Sequence, residues 1–153
     1  MAKFATKLSK TSANSFQAIG TITCSATTRR AEVYDLFLGS YQSPADAAFT
    51  YQVQRVTTFT WASATARVPN ALDPGNGQAA VTVASDRGTA EPTAYTADAF
   101  LLNWAMNQRC SARWQAAPGF GMIVPATNLA GIALKLEANT AAIFECGAQF
   151  DEF

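Results

Sequence analysis

The sequence predicts an all-β protein, an antiparallel β-sandwich with jelly-roll-like topology. Short segments in which apolar and polar side chains alternate recur at a spacing of roughly 8–15 residues, separated by turn-forming Gly, Pro, Asn and Asp. No segment shows a sustained helical repeat. Repeated short strands without intervening helices are typical of sandwiches and barrels, and an immunoglobulin-like sandwich is the alternative architecture.

The first fifteen residues differ from the rest of the chain and predict a basic N-terminal arm. This segment contains three lysines and no acidic residue, with two large apolar side chains between them. We expect the arm to lie on a neighbouring subunit and to make contact there through Lys3, Phe4, Lys7, Leu8 and Lys10. A frayed terminus and a short amphipathic helix are the alternatives. Residues 16–153 are then one β-sandwich domain, as their length suggests.

In the first half of that domain, alternation predicts strands at 20–28, 31–39, 48–56 and 57–65. The aromatic and branched residues in these segments favour strands and indicate a core or subunit interface. A long turn-rich loop follows at 69–78. Its Asp-Pro-Gly-Asn-Gly run predicts a turn rather than a calcium site, because calcium needs six to eight oxygens at regular offsets.

The second half contains strand patterns at 79–85, 99–106, 121–125, 131–138 and 140–150, with an exposed turn-rich region at 85–98. Another strand is predicted within the stretch NQRCSARWQAAPG. Period-two alternation there separates a core face with small residues around one indole from a polar face. The core face comprises Cys110, Ala112, Trp114 and Ala116, and the polar face comprises Arg109, Ser111, Arg113 and Gln115.

Two arginines on that polar face predict ion pairs. Arginine forms bidentate pairs with carboxylates and is enriched at protein interfaces. We therefore expect Arg109 and Arg113 to meet acids on a neighbouring strand or subunit. The candidate partners are Glu137, Glu145 and the tail Asp151-Glu152, which ends in Phe153.

Composition argues against several function classes. The chain has no histidine, which removes the commonest general base and metal ligand, and we expect a non-enzymatic protein without cofactor or metal. Eleven basic and eleven acidic residues give zero net charge, which argues against a nucleic-acid partner. No window has the length and hydropathy of a membrane span, so no membrane partner is expected.

The cysteines and the acids give no strong site pattern. Cys24, Cys110 and Cys146 lack metal-ligand spacing, and three buried free thiols in a protein assembled in a reducing cytoplasm are expected. A glycosidase pair of carboxylates would need to converge in a cleft. Glu137 and Glu145, which flank a predicted hairpin, are not forced to do so by their spacing.

The segment LLNWAMNQRCSARWQAAPGFGMIVPATNLAGIAL and the terminal AQFDEF resemble structural proteins of tailed-bacteriophage virions. The resemblance covers the chain from Pro69 onward. In size and all-β pattern the chain is similar to capsid cement, or decoration, proteins. The resemblance implies a jelly-roll-like subunit, a homotrimer on the outer surface of the capsid that binds and stabilises the shell of major capsid protein. Assembly would take place in the host cytoplasm, and the resemblance assigns no catalytic residue.

Three other functions stay open at this point. The chain is alternatively another virion component, such as a tail, head-completion or fibre-associated protein. A carbohydrate-binding sandwich would need an exposed aromatic platform, for which Trp61 and Trp104 are the candidates. A glycan hydrolase would need two carboxylates in one pocket.

Overall fold

The computed structural model describes residues 1–12, 17–42, 44–58, 60–88, 91, 95–138 and 141–153. In this part of the chain there are twelve strands and no helix, which confirms the all-β prediction. The strands are β1 Ala2–Ser12, β2 Gln17–Cys24, β3 Ala31–Tyr41, β4 Ala48–Val56, β5 Thr65–Arg67, β6 Asn70–Ala71, β7 Thr82–Asp86, β8 Tyr95–Asn107, β9 Ala112–Gln115, β10 Met122–Val124, β11 Gly131–Ala138 and β12 Ala142–Glu152.

Strand pairing follows a jelly-roll pattern, in which strands from the two ends of the chain pair inwards. β1 pairs with β12, β2 with β11, β3 with β9 and β10, and β4 with β8, all antiparallel. This long hairpin is rolled up so that β12 also pairs with β3 and β11 also pairs with β4. The result is two antiparallel sheets packed together as a jelly-roll sandwich, as the sequence predicts.

The two sheets are called A and B here. Sheet A has the order β10-β3-β12-β1-β6, with β9 also on β3, and sheet B has the order β5-β7-β2-β11-β4-β8. The connection between β4 and β8 contributes the three short strands β5, β6 and β7. β7 and β5 extend sheet B beyond β2, while β6 adds two residues to the far side of β1.

The core lies between the inner faces of the two sheets, and the alternation in sequence accounts for it. Every second residue of β12 is buried along its whole length. Aromatic side chains line this core: Phe4 stacks on Phe150 within sheet A at 5.5 Å between ring centroids, Tyr51 stacks on Trp104 within sheet B at 5.2 Å, and Phe49 meets Phe144 between the sheets at 5.1 Å. Strands 48–56 and 131–138 have the bounds that the sequence predicts.

The prediction of an N-terminal arm is wrong for the residues that the structure describes. Ala2–Ser12 is strand β1, and each of its residues pairs with a residue of β12. Phe4 and Leu8 are buried in the core, so they do not contact a neighbouring subunit from an arm. The physical reason is that Phe4, Thr6 and Leu8 share the inner face of a strand, while Lys3 and Lys7 share the outer face. Residues 13–15 of the predicted arm lie outside the described residues.

The strand predicted at 57–65 is also wrong for most of its length. Thr57 and Thr58 are in a bend, Ala62 and Ser63 are in a turn, and only Thr65 begins a strand. Phe59 lies outside the described residues. Trp61 instead packs against Ala18, Val56 and Ala133 in a second, smaller core. Here the loop covers part of sheet B with the Trp61 side chain, while Thr57, Thr58, Thr60, Ala62 and Ser63 are exposed.

Candidate assembly surfaces

The lysines of β1 make their described contacts within the chain. Lys3 Nζ lies 3.5 Å from Asp151 Oδ1, and Lys7 Nζ lies 2.7 Å from Glu145 Oε1, both across the β1–β12 pair. Lys10 Nζ lies 5.4 Å from the centre of the Trp61 ring, and burial lowers the pKa of its ammonium group. A role of Lys3, Lys7, Lys10, Glu145 and Asp151 at a subunit interface stays a prediction.

Arg113 forms a bidentate ion pair, but its partner is not one of the predicted acids. Its Nε donates to Asp35 Oδ1 at 3.0 Å and its Nη2 to Asp35 Oδ2 at 2.5 Å. Asp35 is buried on β3, and β9 pairs directly with β3. The pairing of β9 with β3, which no local pattern specifies, is the reason that Glu137, Glu145 and the tail are not the partner. Because Asp35 is a carboxylate of this same chain, the Arg113 pair is explained without a second subunit.

The remainder of the stretch from Asn107 to Gly119 divides into a turn and a short strand. Residues 108–110 form a turn, and β9 begins only at Ala112. Arg109 is therefore an exposed turn residue, whose backbone N–H donates to Asn107 Oδ1 at 2.9 Å. Cys110 is exposed as well, so its placement on a core face is wrong, whereas Cys24 and Cys146 are buried as predicted. All three thiols are free.

Two buried carboxylates that the sequence analysis did not identify join strands of different sheets. Glu152 at the end of β12 accepts hydrogen bonds from the backbone N–H groups of Ala80, Val81 and Thr82 and from the Thr82 hydroxyl, at 2.8–2.9 Å. Burial alone would raise the pKa of Glu152, but these four donors together lower it.

Asp86 is the second of these carboxylates. It accepts from the Ser9 N–H at 2.8 Å and from Arg67 Nε at 2.9 Å. Both acids are therefore structural, and the only sequence signal for them is the odd placement of an acid on the apolar face of a strand. Glu137 and Glu145 do not flank a hairpin, because β11 and β12 belong to different sheets.

Exposed apolar side chains lie around one end of sheet A. Ala2, Glu152, Ala31 and Val124 pair in a row across that end. Large exposed apolar side chains lie in this half of the sheet, and we call them the end rim: Met1, Leu72 and Phe153 on segments next to the row, and Phe120 in the turn before β10, four residues from Val124 along the chain. Leu72 is fixed there by its N–H, which donates to the Lys3 carbonyl at 2.8 Å, and Phe153 by backbone hydrogen bonds with Arg30. The Arg30 guanidinium lies 4.9 Å from the Phe153 ring centre.

Phe120 is the most exposed aromatic residue of the end rim, with 78% of its surface accessible. It lies in a turn closed by the hydrogen bond from its N–H to the Ala117 carbonyl, next to Gly119 with φ of 78°. Glu32 accepts a hydrogen bond from the Gly121 N–H at 2.7 Å, which ties this turn to β3. The sequence analysis did not identify Phe120 as a surface residue.

The second surface is the outer edge of β8. Leu102, Trp104 and Met106 pair with residues of β4 that are buried in the core, and they pack against that core themselves. They are nevertheless only half-buried. The strands that lie on the corresponding edge of sheet A, β9 and β10, have four and three residues and are too short to cover a strand of thirteen residues. Phe100 on the same strand is 47% exposed.

Among the described residues, the cavity between β1 and β5 holds a carboxylate that already has hydrogen-bond partners. This cavity of about 390 Å³ is lined by residues that include Arg67, Asp86 and Arg87, and its carboxylate is the one bound by Ser9 and Arg67. In the described part of the chain no group of three or more His, Cys, Asp or Glu side chains is placed to hold a metal ion. Over the same residues, no helix has the length and hydropathy needed to cross a membrane.

The tryptophans proposed as a carbohydrate platform are largely covered. Trp61 is buried, and an added Cβ at Gly88 would come within 2.0 Å of its Nε1, so its indole lies directly against that backbone. Trp104 has one ring face on Tyr51, at an interplanar angle of 7°.

Comparison with known protein families, with curated proteins and with solved structures finds no match to this chain.

Proposed function

We propose that this protein is a non-enzymatic virion structural protein of the capsid cement, or decoration, type, which binds the outer surface of a tailed-phage shell and stabilises it through protein–protein contacts. The observation that carries the proposal is the end rim. Four large apolar side chains are exposed in one half of sheet A, and we take them as the interaction site, because exposed apolar patches mark such sites on monomeric proteins.

The geometry of the end rim suits a broad contact. From β10 to β6 the sheet spans four inter-strand steps, about 20 Å at ~4.8 Å per step. A protruding aromatic side chain on a tight turn fits the usual form of an interface anchor, which fills a pocket on the partner.

The charged residues near the end rim would form a polar border around this contact. Arg29 and Arg30 are exposed beside Phe153, and Lys3 is exposed beside Leu72. A rim of charges around apolar anchors is the common arrangement in protein–protein interfaces. The partner that we propose is the major capsid protein, and its docking surface would then offer apolar pockets with acidic groups around them.

The test is co-sedimentation of the purified protein with mature empty shells of the major capsid protein from the same virion. The Phe120→Asp variant replaces a side chain that contacts mostly solvent, so we expect its thermal unfolding to match the wild type. Its affinity for shells should fall at least tenfold, because a carboxylate would be buried in an apolar pocket.

Tyr41→Asp is the matched control, since Tyr41 is an exposed aromatic residue at the opposite end of β3. It should bind shells as the wild type does. Wild-type protein that does not sediment with shells, or equal losses for the two variants, would contradict the proposal.

A further inference from the structure

The loop between β6 and β7 exposes an Asn-Gly pair in which both groups that can react are free. Residues 72–78 are all exposed. Asp73 organises the start of the loop, because its side chain accepts from the Gly75 N–H at 2.8 Å and its carbonyl accepts from the Asn76 N–H at 3.0 Å. Within the described chain, neither the Asn76 side chain nor the Gly77 N–H takes part in a hydrogen bond. The loop therefore presents a free side-chain amide next to an unprotected backbone nitrogen.

An asparagine side chain reacts with the backbone nitrogen of the following residue, because the attack closes a five-membered ring. Here the Gly77 nitrogen would lose its proton and form a bond to Asn76 Cγ. The Cγ–Nδ2 bond would break, and the amide nitrogen would leave as ammonia with that proton. Water then opens the cyclic imide at either carbonyl, which gives aspartate or isoaspartate. Water is the only other reactant, and nothing is oxidised or reduced.

Glycine at the second position is what makes this reaction fast. A Cβ on that residue would shield the attacking nitrogen and restrict rotation of the backbone, and glycine has no Cβ. The chain contains seven asparagines, and only Asn76 is followed by glycine. Asn76 is therefore the asparagine most open to this chemistry.

Two other asparagines near the surface show how the fold protects such a site. Asn128 is exposed, but the N–H of Leu129 donates to the Cys24 carbonyl at 2.7 Å and is held there. Asn107 is half-buried, and both polar atoms of its side chain are hydrogen-bonded, at 2.6 and 2.9 Å. Exposure alone does not distinguish Asn76, whereas the freedom of both reacting groups does.

We infer that Asn76–Gly77 is a self-modification site, at which the folded chain converts Asn76 to aspartate or isoaspartate. Each conversion adds one negative charge to a chain whose formal net charge is zero. Asn76 is four residues from Leu72, so the two Cα atoms lie within about 15 Å of each other, at ~3.8 Å per residue. The modification therefore places a carboxylate close to the end rim.

The test is incubation of the purified full chain at pH 8 for several days, followed by peptide mapping. We expect aspartate and isoaspartate at position 76, formed at least tenfold faster than at Asn107 or Asn128. Because the loop is exposed and the reacting groups are free, the rate should match that of a synthetic peptide of residues 70–80. The rate should be lower at pH 6, since the attacking form of the Gly77 nitrogen is the deprotonated one.

Gly77→Ala makes the test specific. The added Cβ would meet nothing within 4 Å, and the backbone at Gly77 is outside the left-handed region, so the variant should fold as the wild type does. It should convert at least tenfold more slowly. Gln78→Ala is the matched control, since it changes the same loop, keeps the Asn-Gly pair and should convert at the wild-type rate. A native chain that converts more than tenfold more slowly than the peptide, or Gly77→Ala converting as fast as the wild type, would overturn the inference.

The consequence for shell binding rests on the proposed function. The docking surface proposed above has acidic groups around its pockets, so a carboxylate at position 76 would be repelled. Asn76→Asp should bind shells about two- to fivefold more weakly than the wild type at low salt, and the uncharged Asn76→Ser should bind equally well. Equal binding by Asn76→Asp would overturn this consequence and leave the conversion standing. Peptide mapping needs no shells, so wild-type protein that does not sediment with shells would contradict the proposed function alone.

Discussion

For β1 and β8, the apolar content of the sequence suggests a position in the sheet that differs from the one the strand occupies. β1 is AKFATKLSKTS, with three lysines and two large apolar residues, yet it lies inside sheet A and buries Phe4 and Leu8 completely. β8 contains the apolar run FLLNWAM, yet it is an edge strand whose large apolar side chains, Phe100 apart, are only partly buried. Apolar content alone therefore does not rank these strands by burial.

What decides burial is the number of neighbours that a strand has. β1 has β12 along eleven residues on one side and β6 for two residues on the other, and sheet B faces its inner side. β8 has β4 on one side only. An edge strand that is more apolar than its surroundings require leaves apolar side chains partly exposed, whereas a lysine-rich strand in the interior needs only every fourth residue to be large and apolar.

Matched Leu→Ala substitutions in the two strands give the largest expected effect. Leu8 is fully buried and packs against Gly20, where an added Cβ would come within 2.7 Å of Leu8 Cδ1. Leu8→Ala should lower the free energy of unfolding by about 3–4 kcal/mol, because it leaves a cavity in a closed core. Leu102→Ala on β8 should lower it by about 1 kcal/mol, since that site is already half-exposed.

Denaturant unfolding at low protein concentration measures both values without a contribution from self-association. Equal losses for the two variants would show that β8 is as much part of the closed core as β1. That outcome would remove the contrast between the strands.

A substitution at Glu152 tests whether its buried carboxylate stabilises the interior of the sandwich through hydrogen bonds of a kind that β8 does not have. Glu152→Gln should cost about 2–3 kcal/mol at pH 7, because an amide replaces a carboxylate that accepts three backbone N–H groups and a hydroxyl. Glu145→Gln is the control on the same strand. Its partner Lys7 is exposed, so we expect a change within ~0.5 kcal/mol.

The cost of Glu152→Gln should depend on pH in a defined direction. The pKa of Glu152 is lower in the folded protein than its usual value of 4.5. Its contribution is then fully present above that value and is lost as pH falls through the folded-state pKa. The difference between wild type and variant should therefore shrink from pH 7 to pH 3, and a constant difference would show that the charge of Glu152 does not contribute.

The sequence predicts the fold better than the surfaces, and the reason is physical. Strands such as β4 and β11 have large apolar side chains at alternate positions over most of their length, since one face of each packs on the main core, and their bounds follow from that local pattern. The number of strands and the absence of a helical repeat predict a sandwich, with a jelly roll favoured over an immunoglobulin-like arrangement, but the pairings of distant strands that define the jelly roll are seen only in the structure. The interior position of β1 depends on a partner at the other end of the chain, which no local pattern contains.

The prediction of site residues and their partners is incomplete for the same reason. That Arg113 makes a bidentate ion pair is predictable from its strand face, but its partner Asp35 is 78 positions away along the chain. Glu152 looks like part of a polar tail until β7 is placed beside the end of β12. Phe120 carries a usable signal, a large apolar residue between two glycines in a turn, where a core contact would be hard to make.

A change at a cysteine has the smallest expected effect on stability. The labelling rates of the thiols also measure how accessible each region is to solvent. Cys110 is exposed in the turn that follows β8, while Cys146 on β12 is buried opposite Leu8. Burial raises the pKa of Cys146 to about 12, so its thiolate is scarce as well as inaccessible.

A thiol reagent at pH 8 should label one cysteine per native chain within minutes, Cys110, and three only after unfolding. Peptide mapping identifies the site, and Cys110→Ser should abolish the native label with a change in unfolding free energy of less than ~0.5 kcal/mol. Labelling of Cys146 at the rate of Cys110 in the native protein would mean that the β1–β12 pair opens freely, and the contrast with the β8 side of the molecule would not hold.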